Sequence, residues 1–365
     1  MATTTYGVND AMAVKLWSKK LAVEVSKATL IAPLIGTSSN SIIQLKDETQ
    51  KGSGDKVTFG LRTQLFGDGV SENEVQEGNE ETLATYSDAI MINELSHAVR
   101  IKNDQAIDAQ RVPFSMRSEA LAGLSDWYSD RLSMMAFIQW CGYTAPTMVF
   151  EGRTVNLTAK HWGFNAPLAP STNRILRPAA VANDESLTDS NVFTLDLIDK
   201  AVEKAKLANP KIRPARVNGE NYYVMYLHPT QVTSLRTNTS TGQWMDITKA
   251  VYNGAKANNP FFDGSLGVYN RVVLREAEHV TEGVSTAGAR VANTRRAVLL
   301  GAQSAVAAFG MKNTPEKYKQ VEELFDYQRE LGVAAQTVLG LKKTRFNTLN
   351  EDYGVITVST YAAPA

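Results

Sequence analysis

Acidic side chains are the densest group of chemically competent residues in the sequence. Residues 63–99 contain eight Asp and Glu and no Lys or Arg. Paired carboxylates can catalyse glycoside hydrolysis or bind a divalent cation, but both tasks need a shaped pocket. Residues 72–81 are mostly acidic and polar residues with one glycine, and no aromatic residue occurs from residue 72 until Tyr86. We therefore predict a solvated or partner-facing segment here rather than a catalytic one.

Histidine and cysteine add little further chemistry. The four His residues are scattered, and none stands beside a nucleophile in the sequence. Cys141 ends an amphipathic helical pattern, which favours a small buried side chain over a nucleophile. His228 precedes Pro229 at a predicted helix start. A catalytic group could occupy that position, but a side chain that caps the helix is the preferred interpretation.

Sequence motifs for nucleotides and metals do not occur either. The Gly-Ser-Gly at residues 52–54 lacks the third glycine of a dinucleotide fingerprint, and the chain has no Walker sequence. His-Glu-x-x-His, Gly-x-Ser-x-Gly and the calcium-loop pattern are missing as well. We predict no catalytic residue, no cofactor and no metal site, and hence a protein that is not an enzyme.

Charge and composition narrow the class of protein. The chain has 365 residues, with 38 Lys and Arg balanced by 38 Asp and Glu. A dedicated nucleic-acid binder would show a basic excess, so DNA is expected to be a weak, non-specific neighbour. The longest apolar stretch, residues 297–311, is too short to span a bilayer, and a secretory signal pattern is absent. With one Cys, we expect a soluble globular protein of a reducing compartment, without a membrane partner.

Hydrophobic periodicity predicts an arm followed by two extended strands. Residues 14–30 have a helical period but are too few to enclose a core. Residues 56–65 alternate between apolar and polar side chains, with the apolar face ending at Leu65. A second extended stretch covers residues 82–101. Two strands joined by an acid-only turn would project into solvent unless a basic partner receives them.

A long helix over residues 118–140 is the clearest element, and mixed structure follows it. Irregular structure is expected over residues 147–190, and a second helix over residues 194–207, with Thr194 as its N-cap. The irregular order of strands and helices predicts an α+β fold. Further strands are predicted at residues 222–227, 268–274, 296–300 and 354–360. The predicted apolar face of the long helix comprises Leu121, Leu124, Tyr128, Leu132, Met135 and Gln139.

Basic residues cluster away from the acidic segment. Separate acidic and basic blocks in a neutral chain predict complementary surfaces between copies of one protein. Few aromatic residues accompany the basic blocks, which argues against recognition of single-stranded nucleic acid by stacking. The blocks are Lys204, Lys206, Lys211, Arg213 and Arg216; Arg290, Arg295 and Arg296; and Lys342, Lys343 and Arg345.

Laid in this order, the parts resemble the subunit of tailed-phage major capsid proteins, which have the Hong Kong 97 fold. Several stretches are also similar to the phage capsid-like family of short-tailed phages. They are residues 226–231 (YLHPTQ), 259–267 (NPFFDGSLG), 295–301 (RRAVLLG) and 353–357 (YGVIT). These are packing and turn motifs, so they imply a fold and an assembly role but no catalytic residue.

The resemblance implies a distinct role for each segment of the chain. An N-terminal arm (1–50) would lie along neighbours and an extended β-hairpin loop (51–103) would reach over an adjacent subunit. A spine helix and peripheral domain (104–190), an axial domain (191–330) and a C-terminal return to the peripheral domain (331–365) would follow. The expected inter-subunit contact is the tip of the loop, with Asp68, Glu72, Glu74, Glu77, Glu80 and Glu81.

The implied function is that of a major capsid protein. Copies would assemble as pentamers and hexamers into an icosahedral shell around a double-stranded DNA genome, in the cytoplasm of a bacterial host. Scaffolding, portal and decoration proteins are the other expected partners. From the residues alone, a soluble carboxylate-dependent glycan hydrolase stays open as an alternative, with its acids at residues 72–94 or 276–282.

Overall fold

A computed structural model gives the fold of most of the chain. The structure describes residues 21, 23–25, 29–46, 54–62, 65, 67–82, 85–102, 107, 111, 113–150, 152–217, 219–237, 266–310, 317–347 and 349–364. Most of the predicted arm helix at residues 14–30 lies outside these residues, as do positions 259–265 of the second quoted motif. Within the described ranges, none of the helices combines the length and hydropathy needed to cross a bilayer.

Helices and strands alternate irregularly, which confirms the predicted α+β class. The helices are α1 (Met116–Cys141), α2 (Leu195–Leu207) and α3 (Pro229–Thr237), and one-turn 3₁₀ segments occur at Ala32–Leu34, Thr172–Arg174, Pro178–Ala180 and Asp184–Ser186. The first strands are β1 (Ile35–Gly36), β2 (Ile43–Lys46), β3 (Lys56–Arg62), β4 (Thr85–Met91), β5 (Asn93–Lys102), β6 (Thr147–Phe150), β7 (Arg153–Asn156), β8 (Ile175–Leu176), β9 (Ala215–Val217) and β10 (Glu220–Leu227). The later strands are β11 (Gly267–Tyr269), β12 (Val272–Glu276), β13 (Gly283–Val284), β14 (Arg290–Val291), β15 (Thr294–Leu300), β16 (Ala305–Phe309), β17 (Lys319–Phe325), β18 (Glu330–Lys343) and β19 (Val355–Tyr361).

Two sheets organise the described strands. The first has the order β1-β2-β16-β18-β17, and β5 also pairs with β18. The second has the order β11-β12-β10-β15-β19-β8, and β9 also pairs with β10. The pairs β3–β4, β6–β7 and β13–β14 form separate antiparallel hairpins. Neither sheet is a doubly wound parallel sheet, because antiparallel pairs predominate in both.

The long helix α1 is close to its predicted position but more deeply enclosed than its sequence suggests. It begins after Ser115, whose side chain accepts a hydrogen bond from the Ser118 amide, and it ends at Gly142 in the left-handed conformation. A side chain at Gly142 would lie 2.6 Å from the Leu168 carbonyl oxygen, so this stop requires glycine. Helix α1 has a single apolar face only in its first half, because residues 133–141 are buried on every side of the helix.

The second sheet is buried on both faces, and its side chains alternate between two hydrophobic clusters. Val224 and Tyr226 of β10 join the cluster that contains α1. Tyr223, Met225 and Leu227 of the same strand pack in the cluster that contains α2 and α3. A strand covered on both faces has a continuous apolar sequence, which explains why this run has no polar alternation.

Two stretches that the sequence predicts as single units are each divided in the structure. The extended stretch predicted at residues 82–101 is two strands: β4 forms the hairpin with β3, whereas β5 joins the first sheet by pairing with β18. Residues 331–365, which are expected to return together to the peripheral domain, contribute to two different sheets. β18 lies in the first sheet beside α1, whereas β19 lies in the second sheet between β15 and β8. The five domain boundaries themselves stay a prediction.

A buried tyrosine joins α1 to the first sheet. The Tyr128 hydroxyl lies 2.6 Å from the Ala335 carbonyl oxygen of β18 and 3.1 Å from the Leu95 carbonyl oxygen of β5. Burial raises the pKa of Tyr128 above its ordinary value, so the phenol stays protonated and donates. The helix that faces the sheet is thereby fixed relative to both strands.

Candidate functional site

The acidic tip, defined here as residues 67–82, extends beyond the β3–β4 hairpin. The ladder of that hairpin ends at the Arg62–Thr85 pair, and every residue of the tip is exposed. The tip has six acidic residues and no Lys or Arg. It also presents the apolar side chain of Val75, which is 69% exposed. The structure therefore places all the predicted contact residues together in one solvent-facing segment: Asp68, Glu72, Glu74, Glu77, Glu80 and Glu81.

Half of these carboxylates shape the tip and half are available to a partner. Three accept hydrogen bonds from backbone amides within the tip, which closes local turns. No hydrogen bond or ion pair to any described residue is made by Asp68, Glu72 or Glu77. The turn-forming pairs are Ser71 amide to Glu74 (2.8 Å), Gly78 amide to Glu80 (2.7 Å) and Gly67 amide to Glu81 (2.6 Å).

The base of the hairpin is fixed to the body of the subunit. Its inward-facing side chains belong to a small hydrophobic cluster, as the alternation predicted, although Leu65 is exposed and lies outside the strand. Asp88 accepts hydrogen bonds from the Lys342 ammonium group and from the Arg345 amide, the latter at 3.1 Å. Asp88 therefore belongs to the anchor and not to the projecting acids. The cluster comprises Val57, Phe59, Leu61, Ile90, Val306, Ala308, Phe346 and Tyr353.

In two of the three basic blocks, every cation except the exposed Arg290 is buried or half-buried. Lys343 is buried and lies 3.0 Å from the Asp352 carboxylate, while Lys342 pairs with Asp88 as described. In the second block, Arg296 is buried against Asp184. The partners of Lys342 and Arg296 lie more than 100 residues away in the sequence, so no local pattern indicates those two pairings. The block at residues 204–216 is largely exposed, apart from half-buried Lys204 and Arg213.

Asp184 is the centre of a buried ionic network. Its carboxylate lies 2.7 Å from the Arg296 guanidinium and 2.7 Å from the Arg177 guanidinium. Arg296 also donates to the carbonyl oxygens of Cys141 and Gly142, at 3.1 and 3.0 Å, which satisfies the C-terminal end of α1. Burial would raise the pKa of Asp184, but the two guanidinium groups outweigh it and hold that pKa below its ordinary value.

The histidine and cysteine considered for catalysis have structural roles. The His228 Nδ1 atom accepts a hydrogen bond from the Thr230 amide at 3.2 Å, so His228 caps α3 as predicted. The Cys141 thiol is fully buried and donates to the Arg296 carbonyl oxygen at 3.2 Å. Burial raises the pKa of Cys141, which disfavours the nucleophilic thiolate.

His228 makes folding sensitive to mild acid. Burial and then Arg295 lower its pKa from 6.5 to about 3. Below about pH 6.5 the unfolded chain therefore binds a proton that the folded state excludes, so stability falls as the pH is lowered. By about pH 5 this loss reaches at most about 2 kcal/mol. We expect His228→Asn, which keeps a capping oxygen, to lose less stability than the wild type when urea unfolding is compared at pH 8 and pH 5.

Other titrating groups do not obscure that comparison. His97 and His161 also have lowered pKa values, but both remain in the variant and cancel in the difference. Asp184 titrates below its ordinary value of 3.8, outside the interval tested. Equal acid sensitivity of the two proteins would contradict the role given to His228.

Neither acidic stretch forms the paired carboxylates of a hydrolase. The tip is a solvent-exposed turn with no enclosing wall. In the second stretch, Glu282 is buried and bound by the Arg290 guanidinium. Among the residues that the structure describes, no cluster of three or more metal-ligating side chains is present.

Comparison with known proteins gives a consistent result over nearly the whole chain. A family model described as "Phage capsid protein" matches residues 5–364. The protein described as "Major capsid protein" of Pseudomonas phage KPP25 is 26% identical, with 94% of this chain and 93% of that protein covered.

Three solved structures with a similar fold are of phage origin. The capsid of Ralstonia phage GP4 aligns with a TM-score of 0.80 and 28% identity, covering 100% of this chain and 99% of that chain. The cyanophage Pam1 capsid asymmetric unit aligns with a TM-score of 0.63 and 22% identity, covering 92% of each chain. The head structure of Helicobacter pylori bacteriophage KHP40 aligns with a TM-score of 0.59 and 17% identity, covering 91% of each chain.

Proposed function

Because the chain belongs to the phage capsid protein family, we infer that it is a major capsid protein whose function is to form the shell of a tailed-phage virion. The predicted α+β fold of the Hong Kong 97 type and the predicted family are confirmed. The glycan hydrolase alternative has no support. Function here consists of forming contacts between identical subunits, and the residues of interest are those that make the contacts.

The observation that carries the proposal in detail is the exposed acidic tip on an anchored hairpin. A segment with six acids and no cation is unfavourable in isolation, because like charges repel. It becomes favourable when it meets a basic surface on another copy. We therefore assign the tip as an inter-subunit contact within pentamers and hexamers. The net charge of zero supports this assignment, since each copy then carries both complementary surfaces.

Further partners follow from the shell function. A closed shell that is filled with DNA needs a portal for entry, and assembly is expected to involve a scaffolding protein and decoration proteins. Packaged DNA is a weak, non-specific neighbour, since the neutral chain has no basic excess to hold it. We expect the shell to assemble in the host cytoplasm, before virions are released.

Electron microscopy and light scattering of the expressed protein test the shell function. We expect closed particles, alone or with a scaffolding partner, because a capsid subunit buries much of its surface against its neighbours. The measurement is the particle size distribution at increasing protein concentration. A monodisperse monomer at high concentration, both with and without a scaffold, would overturn the proposal.

A further inference from the structure

The exposed basic block of the chain lines a recess in the surface. The recess has a volume of about 550 Å³ and lies between the end of α2, the β9–β10 hairpin and the turn before β12. Among the described residues, five cationic side chains line it and no carboxylate does. They are Lys206, Lys211, Arg213, Arg216 and Arg271.

The cations of the recess are available to a ligand. No ion pair with a described carboxylate is made by Lys206, Lys211, Arg216 or Arg271, all of which are exposed. Arg213 is half-buried and donates from Nη2 to the Gln303 side chain at 2.5 Å. Its Nε atom is buried and has no hydrogen-bond partner among the described residues. Because the four exposed cations lack a carboxylate partner among the described residues, the recess is suited to a carboxylate or phosphate acceptor.

We propose that the recess receives the acidic tip of a neighbouring copy of this chain. This inference rests on the proposed shell function and names the surface that the tip contacts. Both members of the pair are exposed in one subunit, with cations gathered at one and carboxylates at the other. Each copy in a shell can then donate its tip to one neighbour and accept the tip of another, as a head-to-tail contact in a ring requires.

The recess and the acidic tip also have complementary apolar groups. Val202, Tyr223 and Ala302 contribute to the lining of the recess. The tip presents Val75 at 69% exposure, between Glu74 and Glu77. An apolar side chain flanked by carboxylates fits a recess whose lining is partly apolar and otherwise cationic. Burial of Val75 adds a contribution that salt does not screen.

DNA is the other polyanion in a phage head, but the shape of the recess favours the tip. A duplex is stiff, with a persistence length of about 50 nm, and its phosphates meet cations that protrude from a surface. Arg213 is half-buried in a recess of about 550 Å³, where a thin irregular loop can enter more readily than a duplex. The neutral overall charge of the chain also argues against a dedicated DNA surface.

Charge exchange between the two surfaces tests the pairing. The recess variant carries Lys206→Glu, Lys211→Glu and Arg216→Glu in the full chain, co-expressed with any scaffold that the wild type needs. We expect roughly tenfold fewer sedimenting shells, because carboxylates then face carboxylates. Adding Glu72→Lys, Glu74→Lys and Glu77→Lys to the same chain should restore shells. The control Lys160→Glu with Lys319→Glu, both exposed residues outside the recess, should assemble like the wild type.

Cross-linking of wild-type shells gives a second test that needs no variant to fold. A carbodiimide joins a carboxylate to a lysine amine in direct contact, and peptide mass spectrometry identifies the pair. We expect products that join Lys206 or Lys211 to a glutamate of the tip. Cross-links from the tip to other lysines, with none to these two, would overturn the pairing.

The outcomes separate this inference from the function on which it rests. Normal shells from the recess variant, or no recovery in the combined variant, would overturn the pairing and leave the shell function intact. Normal shells that no longer retain DNA would assign the recess to phosphate instead. Failure of the wild type itself to form particles would overturn the shell function.

Discussion

We expect shells to fail to form when Glu72, Glu74 and Glu77 are all changed to lysine, while the subunit itself stays folded. These side chains are exposed, and the one hydrogen bond lost is the local one between Glu74 and the Ser71 amide within the tip, so their replacement costs the isolated subunit little. In the shell, three lysines would face a cationic surface, and like-charge contacts at an interface cost several kcal/mol. Sedimentation and electron microscopy should detect no particles, and the circular dichroism spectrum should match the wild type.

The control is a triple reversal with the same change in net charge. Asp126, Asp189 and Glu203 are exposed acids outside the tip. Changing these three to lysine should leave assembly near the wild-type level, which separates position from total charge. Normal shells from the tip variant would rule out the acidic tip as an interface.

Asp184→Asn is expected to destabilise the subunit by about 3–5 kcal/mol, the usual cost of removing one partner from a buried ion pair. The carboxylate is fully buried between Arg296 and Arg177, and the substitution leaves these guanidinium groups without their anion. Arg296 also bonds to the end of α1, so the loss is expected to loosen the contact between the helix and β15. Urea unfolding of the unassembled subunit at neutral pH measures the effect.

An exposed ion pair provides the matched control. Asp196 and Lys200 lie 2.6 Å apart on the surface of α2, both more than half exposed. Asp196→Asn removes the same charge by the same chemical change, yet it should cost less than about 1 kcal/mol. Equal losses in the two variants would mean that the Asp184 network contributes no more than a surface pair.

Local periodicity located most elements because it reports burial of one face. The predicted helices at residues 118–140 and 194–207 correspond to α1 and α2, each shifted by one or two residues at an end. Apolar side chains at intervals of three and four residues, with a stop signal after them, are sufficient for that. Thr194 does occupy the N-cap of α2, but its hydroxyl makes no capping hydrogen bond. Sequence identifies a capping residue more readily than its rotamer.

The site was partly predictable for the same reason. An acid-only turn between two alternating strands is visible as composition, and the structure places it in solvent. The basic recess that we propose as the partner of the acidic tip was not predictable from the sequence. Residues 204–216 were recognised as basic, but Arg271 joins them because the turn before β12 lies beside the β9–β10 hairpin. The sequence contains no pattern that links positions so far apart.

By itself, the sequence determined the class of structure, the positions of most helices and strands, the acidic tip and the family. Each of these depends on neighbouring residues or on short motifs. Tertiary structure alone decided which charges are internal, because the partners of Arg296 and Lys342 lie more than 100 residues away. It also decided how the strands of the second sheet divide between two clusters, since a strand covered on both faces has no polar side to orient it. Pairing of distant segments, and not local preference, separates the charges that hold the subunit together from those left for its neighbours.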